Sequence, residues 1–287
     1  MFDDKTPRAL ASLAGSPGGG VLAGGNDGDE RAGHAGAVGI WWLGQASLVL
    51  KLAGRTIYVD PYLAPGAHRL VPPAFAPDQV TDADLVLLTH DHGDHIDPAA
   101  LPGIALASPG GRFVTPRPTL ERVAELIGDD ARIVAATAGE ALELDGLTLT
   151  PIAAKHEEFD EDPALGFPYL GYVIQADGLT IYNAGDTIPY PGLVESLQDF
   201  AIDLAFIPIN GRDFFRTSVG TIGNCDYREA AELASLLAVD TVVPVHYGMF
   251  AGNTVPPGHF VSYLAERAPG INAQVMGRYG AFLYQRP

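Results

Sequence analysis

The chain has little cysteine, few basic residues and no long apolar run. Its single cysteine, Cys225, cannot form an internal disulfide, which fits a reducing compartment. Only 17 basic residues stand against 35 acidic ones, and the net charge of −18 creates a field that repels nucleic acid and anionic membranes. No stretch approaches the roughly 20 apolar residues of a membrane-spanning helix. The first residues, MFDDKTPRAL, lack an apolar signal core, so we expect a cytoplasmic protein.

The rest of the composition favours one packed domain behind a flexible arm. Of the 287 residues, 47% are hydrophobic, which is ample for a large core. Residues 1–37 differ, because the segments SPGGG and GGNDGDE are rich in glycine and show little apolar periodicity. We expect residues 1–37 to be either a disordered tail or an arm docked on a neighbouring subunit. Residues 38–287 are the predicted folded domain.

Strand signals dominate the folded part. The run IWWLGQASLVLKL predicts strand from Ile40 to Leu52, and LVLLTH is a short apolar run of the kind that is buried on both faces of a sheet. Three turn dipeptides predict hairpins: Ala53-Gly54, Asp145-Gly146 and Asp177-Gly178.

Helices are interspersed among these strands in both halves of the chain. Apolar spacing predicts helices over 118–127, 226–238 and 257–267, the second of them with Asp226 as N-cap and Glu229 completing a capping box. This order predicts a layered α/β protein. No repeat of 20–50 residues is visible, although hairpins followed by strand–helix units occur twice and suggest two similar halves.

The densest chemical feature is THDHGDHID, Thr89 to Asp97, which directly follows the apolar run. It contributes four potential ligands: His90, His92, Asp94 and His95. Imidazole and carboxylate groups bind Zn²⁺ or Mn²⁺, and alternate side chains of a loop can converge on one ion. Adjacent Asp94 and His95 point differently from the first pair, so two metals sharing one loop are predicted. The competing interpretation is a solvated polar turn.

Three isolated residues at the ends of predicted strands could complete such a site. His156 follows LTLTPIAAK, Asp186 follows LTIYNAG, and His246 follows TVVPV. Each alone could be an ordinary surface or capping residue. The remaining histidines lie in less structured surroundings: His34, His68 and His259.

Together these motifs resemble the metallo-β-lactamase superfamily, and within it the L-ascorbate-6-phosphate lactonase-like proteins. The resemblance spans roughly 40–284 and is carried by WWLGQAS, VDPYL, THDHGDHID, NAGDT and PVHYGMF. It implies an αββα sandwich with a metal pair at the rim of two sheets. The known lactonases are longer, and they differ from this chain at INGRD, so the sugar-phosphate specificity does not transfer with the metal ligands.

The resemblance also implies a division of the ligands between two ions. His90, His92 and His156 would hold one, Asp94, His95 and His246 the other, and Asp186 would bridge them. Such a pair supplies a bridging hydroxide near neutral pH. Asp94 and Asp186 would be the catalytic groups that orient it and pass a proton to the leaving oxygen.

Further residues are candidates for supporting roles. Asp60 in VDPYL is either a hydrogen-bond acceptor behind a ligand imidazole or the start of an Asp-Pro turn. Four residues near the predicted rim could contact substrate: Asn210, Arg212, Arg216 and Tyr247. The two arginines could bind phosphate or carboxylate, or could instead pair with acids such as Asp213 and Asp226.

These features predict a hydrolase that opens a lactone or similar small ester, a category that includes sugar-phosphate lactones. Phosphodiester hydrolysis is the alternative. A non-hydrolytic redox or binding module is a third class, but no flavin-binding segment is evident. The expected partner is a small molecule, not nucleic acid or membrane, and assembly into homo-oligomers is left open. The segment His156 to Tyr169 has the character of a covering loop, and five of its first seven residues are acidic, which also disfavours a polyanion.

Overall fold

Two seven-stranded sheets make up the centre of the fold. The computed structural model of the chain describes residues 36–156, 159 and 161–287. The strands of the first sheet are β1 (Ala37–Gly44), β2 (Ser47–Leu52), β3 (Arg55–Val59), β4 (Leu85–Leu87), β5 (Arg112–Pro116), β6 (Ile133–Ala136) and β14 (Ala281–Gln285). Those of the second are β7 (Leu142–Leu144), β8 (Leu147–Ala153), β9 (Leu170–Ala176), β10 (Leu179–Asn183), β11 (Leu204–Pro208), β12 (Thr241–Val245) and β13 (Asn272–Ala273).

Six α-helices accompany the sheets in the described residues. They are α1 (Leu101–Ala107), α2 (Leu120–Ile127), α3 (Leu193–Leu197), α4 (Phe214–Ser218), α5 (Tyr227–Leu236) and α6 (Pro257–Arg267). The predicted capping box is present at α5, where the Asp226 side chain accepts from the Glu229 N–H and Glu229 accepts from the Asp226 N–H. No helix in the described ranges is long and apolar enough to cross a membrane.

The two sheets have the same topology. Their orders are β14-β1-β2-β3-β4-β5-β6 and β7-β8-β9-β10-β11-β12-β13. In each, the first three pairings along the order are antiparallel and the last three are parallel. The two similar halves that the sequence suggests are therefore present as one strand arrangement used twice.

A short sequence repeat marks equivalent positions in the two halves. The tripeptide Thr-Ile-Tyr occurs at 56–58 in β3 and at 180–182 in β10. In each half the threonine N–H donates to an aspartate before the next strand, Thr56 to Asp84 and Thr180 to Asp203, both at 2.8 Å. This carboxylate sets the register between β3 and β4 and between β10 and β11.

The core lies between the sheets and on their outer faces. Along β2, Leu48, Leu50 and Leu52 face the cluster between the sheets, whereas Val49 faces a second cluster with α1 and α2. This alternation follows from the period of two along a strand, and burial on both faces explains the continuous apolar runs. Helices α3, α5 and α6 contribute buried residues to the same cluster that contains Leu48, Leu50 and Leu52. The arrangement confirms the predicted αββα sandwich of the metallo-β-lactamase fold.

The turns agree with prediction in three places and differ in one. The three predicted dipeptides form the hairpin turns β2–β3, β7–β8 and β9–β10, each with both residues at positive φ. The predicted strand from Ile40 to Leu52 is instead two strands, because Gly44 at φ +102° and Gln45 at φ +53° reverse the chain between β1 and β2.

The predicted flexible arm, residues 1–37, falls outside the described residues except for its last two positions, and β1 begins at Ala37. Three acidic residues of the predicted covering loop, at 157, 158 and 160, also lie outside the described part of the chain.

The repeated aspartates give a test of the fold. Asp203 has a side chain only 8% exposed and also pairs with Arg286 at 3.1 Å, whereas the Asp84 side chain is 39% exposed. We expect Asp203→Ala to lower the free energy of unfolding by about 1–3 kcal/mol, because a buried N–H loses its acceptor. Asp84→Ala should lower it less. Urea unfolding of both variants measures the difference, and an equal or larger loss for Asp84→Ala would contradict this interpretation.

Candidate metal centre

Seven histidine and aspartate side chains converge where four strands end. The loop after β4 carries His90, His92, Asp94 and His95, and one further residue follows each of β8, β10 and β12: His156, Asp186 and His246. The ends of parallel strands in one sheet meet at one edge, and here the edges of both sheets meet. Residues separated by 156 positions along the chain are therefore brought together, from His90 to His246.

The first group consists of His90, His92 and His156, whose nearest nitrogen atoms all lie within 4.8 Å of one another. His90 Nε2 is 2.9 Å from His92 Nδ1, and the rings of His92 and His156 are 5.0 Å apart. His90 and His156 are buried, whereas His92 is half-buried. The half-buried His92 leaves one side of this group accessible to solvent, which suits an ion that a substrate must reach.

The second group consists of Asp94, His95 and His246, again with ligand atoms within 4.8 Å. Asp94 Oδ2 lies 3.9 Å from both His95 Nε2 and His246 Nε2. Asp186 lies between the groups: its Oδ2 is 3.0 Å from His246 Nε2, 3.4 Å from His95 Nε2 and 3.6 Å from His156 Nε2.

The donor set fits divalent cations. Three of these side chains each have a buried polar atom without a hydrogen-bond partner among the described residues, namely His95 Nε2, His156 Nδ1 and Asp186 Oδ1. Buried polar atoms are almost always satisfied, so unpartnered ones on three neighbouring side chains fit a site for a bound cation. Nitrogen and carboxylate oxygen donors are those that Zn²⁺ and Mn²⁺ accept.

The pKa values point the same way. Burial lowers the pKa of His156 to about 4 and that of His90 well below its usual value, so both rings are neutral and can offer a lone pair. Burial acts to lower the pKa of His95 and His246 as well, but Asp186 and its neighbouring carboxylates raise both. Positive charge beside the buried Asp186 carboxylate therefore stabilises it, and a bound cation would supply such charge.

Behind the ligands, Asp60 organises the loop after β4. Its fully buried carboxylate accepts hydrogen bonds from the Thr89 N–H at 2.9 Å, from the Thr89 hydroxyl at 2.7 Å and from His95 Nδ1 at 2.7 Å. The contact to Nδ1 places the proton there and leaves His95 Nε2 free to act as a ligand. Thr89 belongs to the metal-binding motif, but sequence reasoning assigned it no role.

Two further residues of the site were missed from sequence. Gln45, in the unpredicted turn between β1 and β2, donates from Nε2 to Asp94 Oδ2 at 2.8 Å. Tyr169 packs its ring against three ligand histidines, with centroid distances of 5.3 Å to His90 and 5.5 Å to His156. The only sequence signal for Gln45 was a polar residue inside an otherwise apolar run.

Three of the predicted substrate contacts have hydrogen-bond partners within the described part of the chain. Arg212 forms a two-point pair with Glu229 at 2.5 and 2.6 Å, and Arg216 pairs with Asp213 at 2.5 Å. Asn210 donates to the Asn253 side chain at 2.8 Å. These contacts occupy both guanidinium groups with acids, although the predicted acid for one of them was Asp226.

Tyr247 faces the core. Its ring lies 4.7 Å from Trp42, and its side chain is buried. A role of these four residues in substrate binding stays a prediction.

Comparison with known proteins agrees with this geometry. A profile of the beta-lactamase superfamily domain matches residues 55–247, which contain every ligand candidate. The UPF0173 metal-dependent hydrolase of Pyrococcus horikoshii is 30% identical over 232 residues, covering 80% of this chain and 94% of that protein. The chain belongs to the UPF0173 metal-dependent hydrolase family of the metallo-β-lactamase superfamily. The comparisons confirm the superfamily and a metal-dependent hydrolase, whereas the finer lactonase-like resemblance stays a prediction.

Solved structures show the same fold. A metallo hydrolase of the archaeon Ignicoccus hospitalis superposes with a TM-score of 0.70 at 23% identity, covering 88% of this chain and all of that one. An isothiocyanate hydrolase from Delia radicum gut bacteria gives a TM-score of 0.69 at 21% identity, covering 86% and 100%. At these identities the likeness shows the fold alone.

The ligand groups predict the metal content. Replacing His156 by alanine should weaken divalent-metal binding by more than the roughly 10–100-fold that is typical of residues behind the ligands, because a buried donor is lost. The control is His68→Ala, since His68 is exposed and lies outside the groups. Metal analysis after dialysis against Zn²⁺ or Mn²⁺ compares the two. Equal metal content in both variants would remove His156 from the site.

Asp60 gives a second test. The Asp60→Asn variant should bind metal about 10–100-fold more weakly, because it presents only one acceptor oxygen to the three donors that the carboxylate serves. Asp84→Asn, at the opposite end of β4, is the matched control and should leave the metal affinity unchanged. Chelator competition provides the affinities, and an unaltered value for Asp60→Asn would show that His95 is oriented without it.

Proposed function

We propose that the protein is a dinuclear metal-dependent hydrolase that opens a lactone or a similar small ester. The observation that carries this proposal is the position of Asp186, whose Oδ2 lies within 3.6 Å of histidine nitrogens from both ligand groups. A carboxylate shared by two three-ligand groups is the arrangement that two neighbouring cations require.

Each group would hold one cation, either Zn²⁺ or Mn²⁺, since these donors suit both. Two such cations would supply Lewis-acid chemistry, lowering the pKa of a bound water and polarising the carbonyl of a bound ester. The protein's own groups then orient the reactants and move protons.

Asp94 and Asp186 divide these tasks by their exposure. The Asp186 side chain is only 4% exposed, and neighbouring histidines lower its pKa, so it stays ionised. It would orient a water molecule bound between the two ligand groups. The Asp94 side chain is 21% exposed, and Gln45 holds one of its oxygens. Asp94 is therefore the carboxylate that can exchange a proton with the leaving oxygen of a substrate.

The charges around the site favour an uncharged ester over a phosphodiester. Arg212 and Arg216 are already paired with acids, so neither offers a free guanidinium to a phosphate. The net charge of −18 adds long-range repulsion of anions. We accordingly propose a small, uncharged substrate and no nucleic-acid partner. A cytoplasmic location and assembly into homo-oligomers stay predictions of the sequence.

An activity screen tests this function. Metal-depleted protein, reloaded with Zn²⁺ or Mn²⁺, should open simple lactones with a higher kcat/KM than it shows for bis(p-nitrophenyl) phosphate. Asp186→Asn should lower kcat/KM by about 10²–10⁴-fold, because the group that orients the reacting water is lost. Asp177→Asn is the control, since Asp177 lies in the β9–β10 hairpin turn and asparagine accepts its positive φ.

Each result of the screen has a defined meaning. A higher kcat/KM for the phosphodiester than for lactones would overturn the lactonase proposal and favour a phosphodiesterase. Including an isothiocyanate covers the activity named for one fold neighbour. Hydrolysis that survives metal removal would overturn the metal-dependent mechanism altogether.

A further inference from the structure

Gln45 is a fully buried amide at the edge where the two sheets meet. It follows Gly44 in the turn between β1 and β2 and has φ +53°, in the left-handed region. Asparagine, aspartate and glycine tolerate this conformation better than glutamine does. A strained, buried polar residue is retained only where its surroundings hold it firmly, which makes its contacts informative.

The side chain contacts one ligand from each sheet. Nε2 lies 2.8 Å from Oδ2 of Asp94, which follows β4, and 3.0 Å from Nε2 of His246, which follows β12. An ionised carboxylate only accepts hydrogen bonds, so the amide must turn its N–H group towards Asp94. The amide oxygen has no hydrogen-bond partner in the part of the chain that the structure describes. The side chain is therefore placed for its N–H groups.

The backbone of Gln45 holds His246 as well. Its carbonyl accepts the His246 N–H at 2.9 Å and the Trp42 indole N–H at 2.9 Å. His246 itself has φ +60°, in the left-handed region that few non-glycine residues adopt. One residue thus fixes the backbone of His246 and contacts its ring.

The first ligand group is supported by other residues. Thr89 Oγ1 lies 2.9 Å from His90 Nδ1, and the rings of His90, His92 and His156 pack against one another and against Tyr169. The side-chain contacts of Gln45 are instead with Asp94 and His246, two of the three members of the second group.

We infer that Gln45 is a positioning residue for the second cation: it sets the spacing of Asp94 and His246 and thereby that ion's affinity, without affecting the first ion. This inference rests on the proposed dinuclear function. The turn between β1 and β2 would thus affect the binding of one ion only. A general contribution of Gln45 to stability would affect both ions.

Stepwise metal titration of two variants tests the inference. Gln45→Met keeps the side-chain length but removes the N–H donors. Gln45→Asn keeps the amide but is one methylene shorter, and asparagine accepts the left-handed backbone, so this variant should fold even if the first does not. We expect the second ion to bind about 10–100-fold more weakly in both, with the first ion unchanged. Loading with Mn²⁺ should correspondingly show loss of the exchange-coupled electron paramagnetic resonance signal of a metal pair.

One control variant and one double variant show which of the two ions each substitution affects. Gln175→Met, on β9, where the side chain donates to the Thr180 hydroxyl, should bind both ions normally. Combining Gln45→Asn with His156→Ala should weaken the binding of both ions. Unchanged second-ion affinity, or equal weakening of both ions in a folded variant, would overturn the role of Gln45. A wild-type protein that itself binds one ion would overturn the dinuclear function, and the inference with it.

Discussion

The buried carboxylate of Asp186 is the interaction on which the site depends. It lies among the nitrogens of three histidines from three different loops, and burial would favour its neutral form if His246 and His95 did not lower its pKa. Bringing so many donors to one point leaves several of them without partners. The scaffold fixes each loop, and a bound cation would compensate the buried negative charge.

The scaffold achieves this by using one arrangement twice. Both halves place a Thr-Ile-Tyr strand beside an aspartate-led parallel strand, and the matching hydrogen bonds fix the register in each. The halves share this internal support but not their ligands. The first half contributes four ligands from one loop, and the second contributes one from each of three strand ends. Function therefore lies in the loops, while the repeated strands hold those loops in place.

Much of this could be predicted because the signals are local. Alternating His and Asp in THDHGDHID, the turn dipeptides and the capping box of α5 each operate within a few residues. The turn at Gln45 was missed because the apolar residues on both sides of it continue one strand-like run without a proline or an Asn-Gly pair. The pairing of Arg212 with Glu229 was missed because these residues are 17 positions apart and meet only once α5 has packed.

The sequence by itself determined the kind of chemistry, since donor types and their spacing define which ions can bind, and the acidic composition disfavours anionic partners. Only the tertiary structure decided how the donors are shared. It placed Asp186 between the two groups, Asp60 behind His95, and Gln45 against Asp94 and His246. These contacts join residues from separate strands, and distances between separate strands are set by how two sheets pack, which no local pattern encodes.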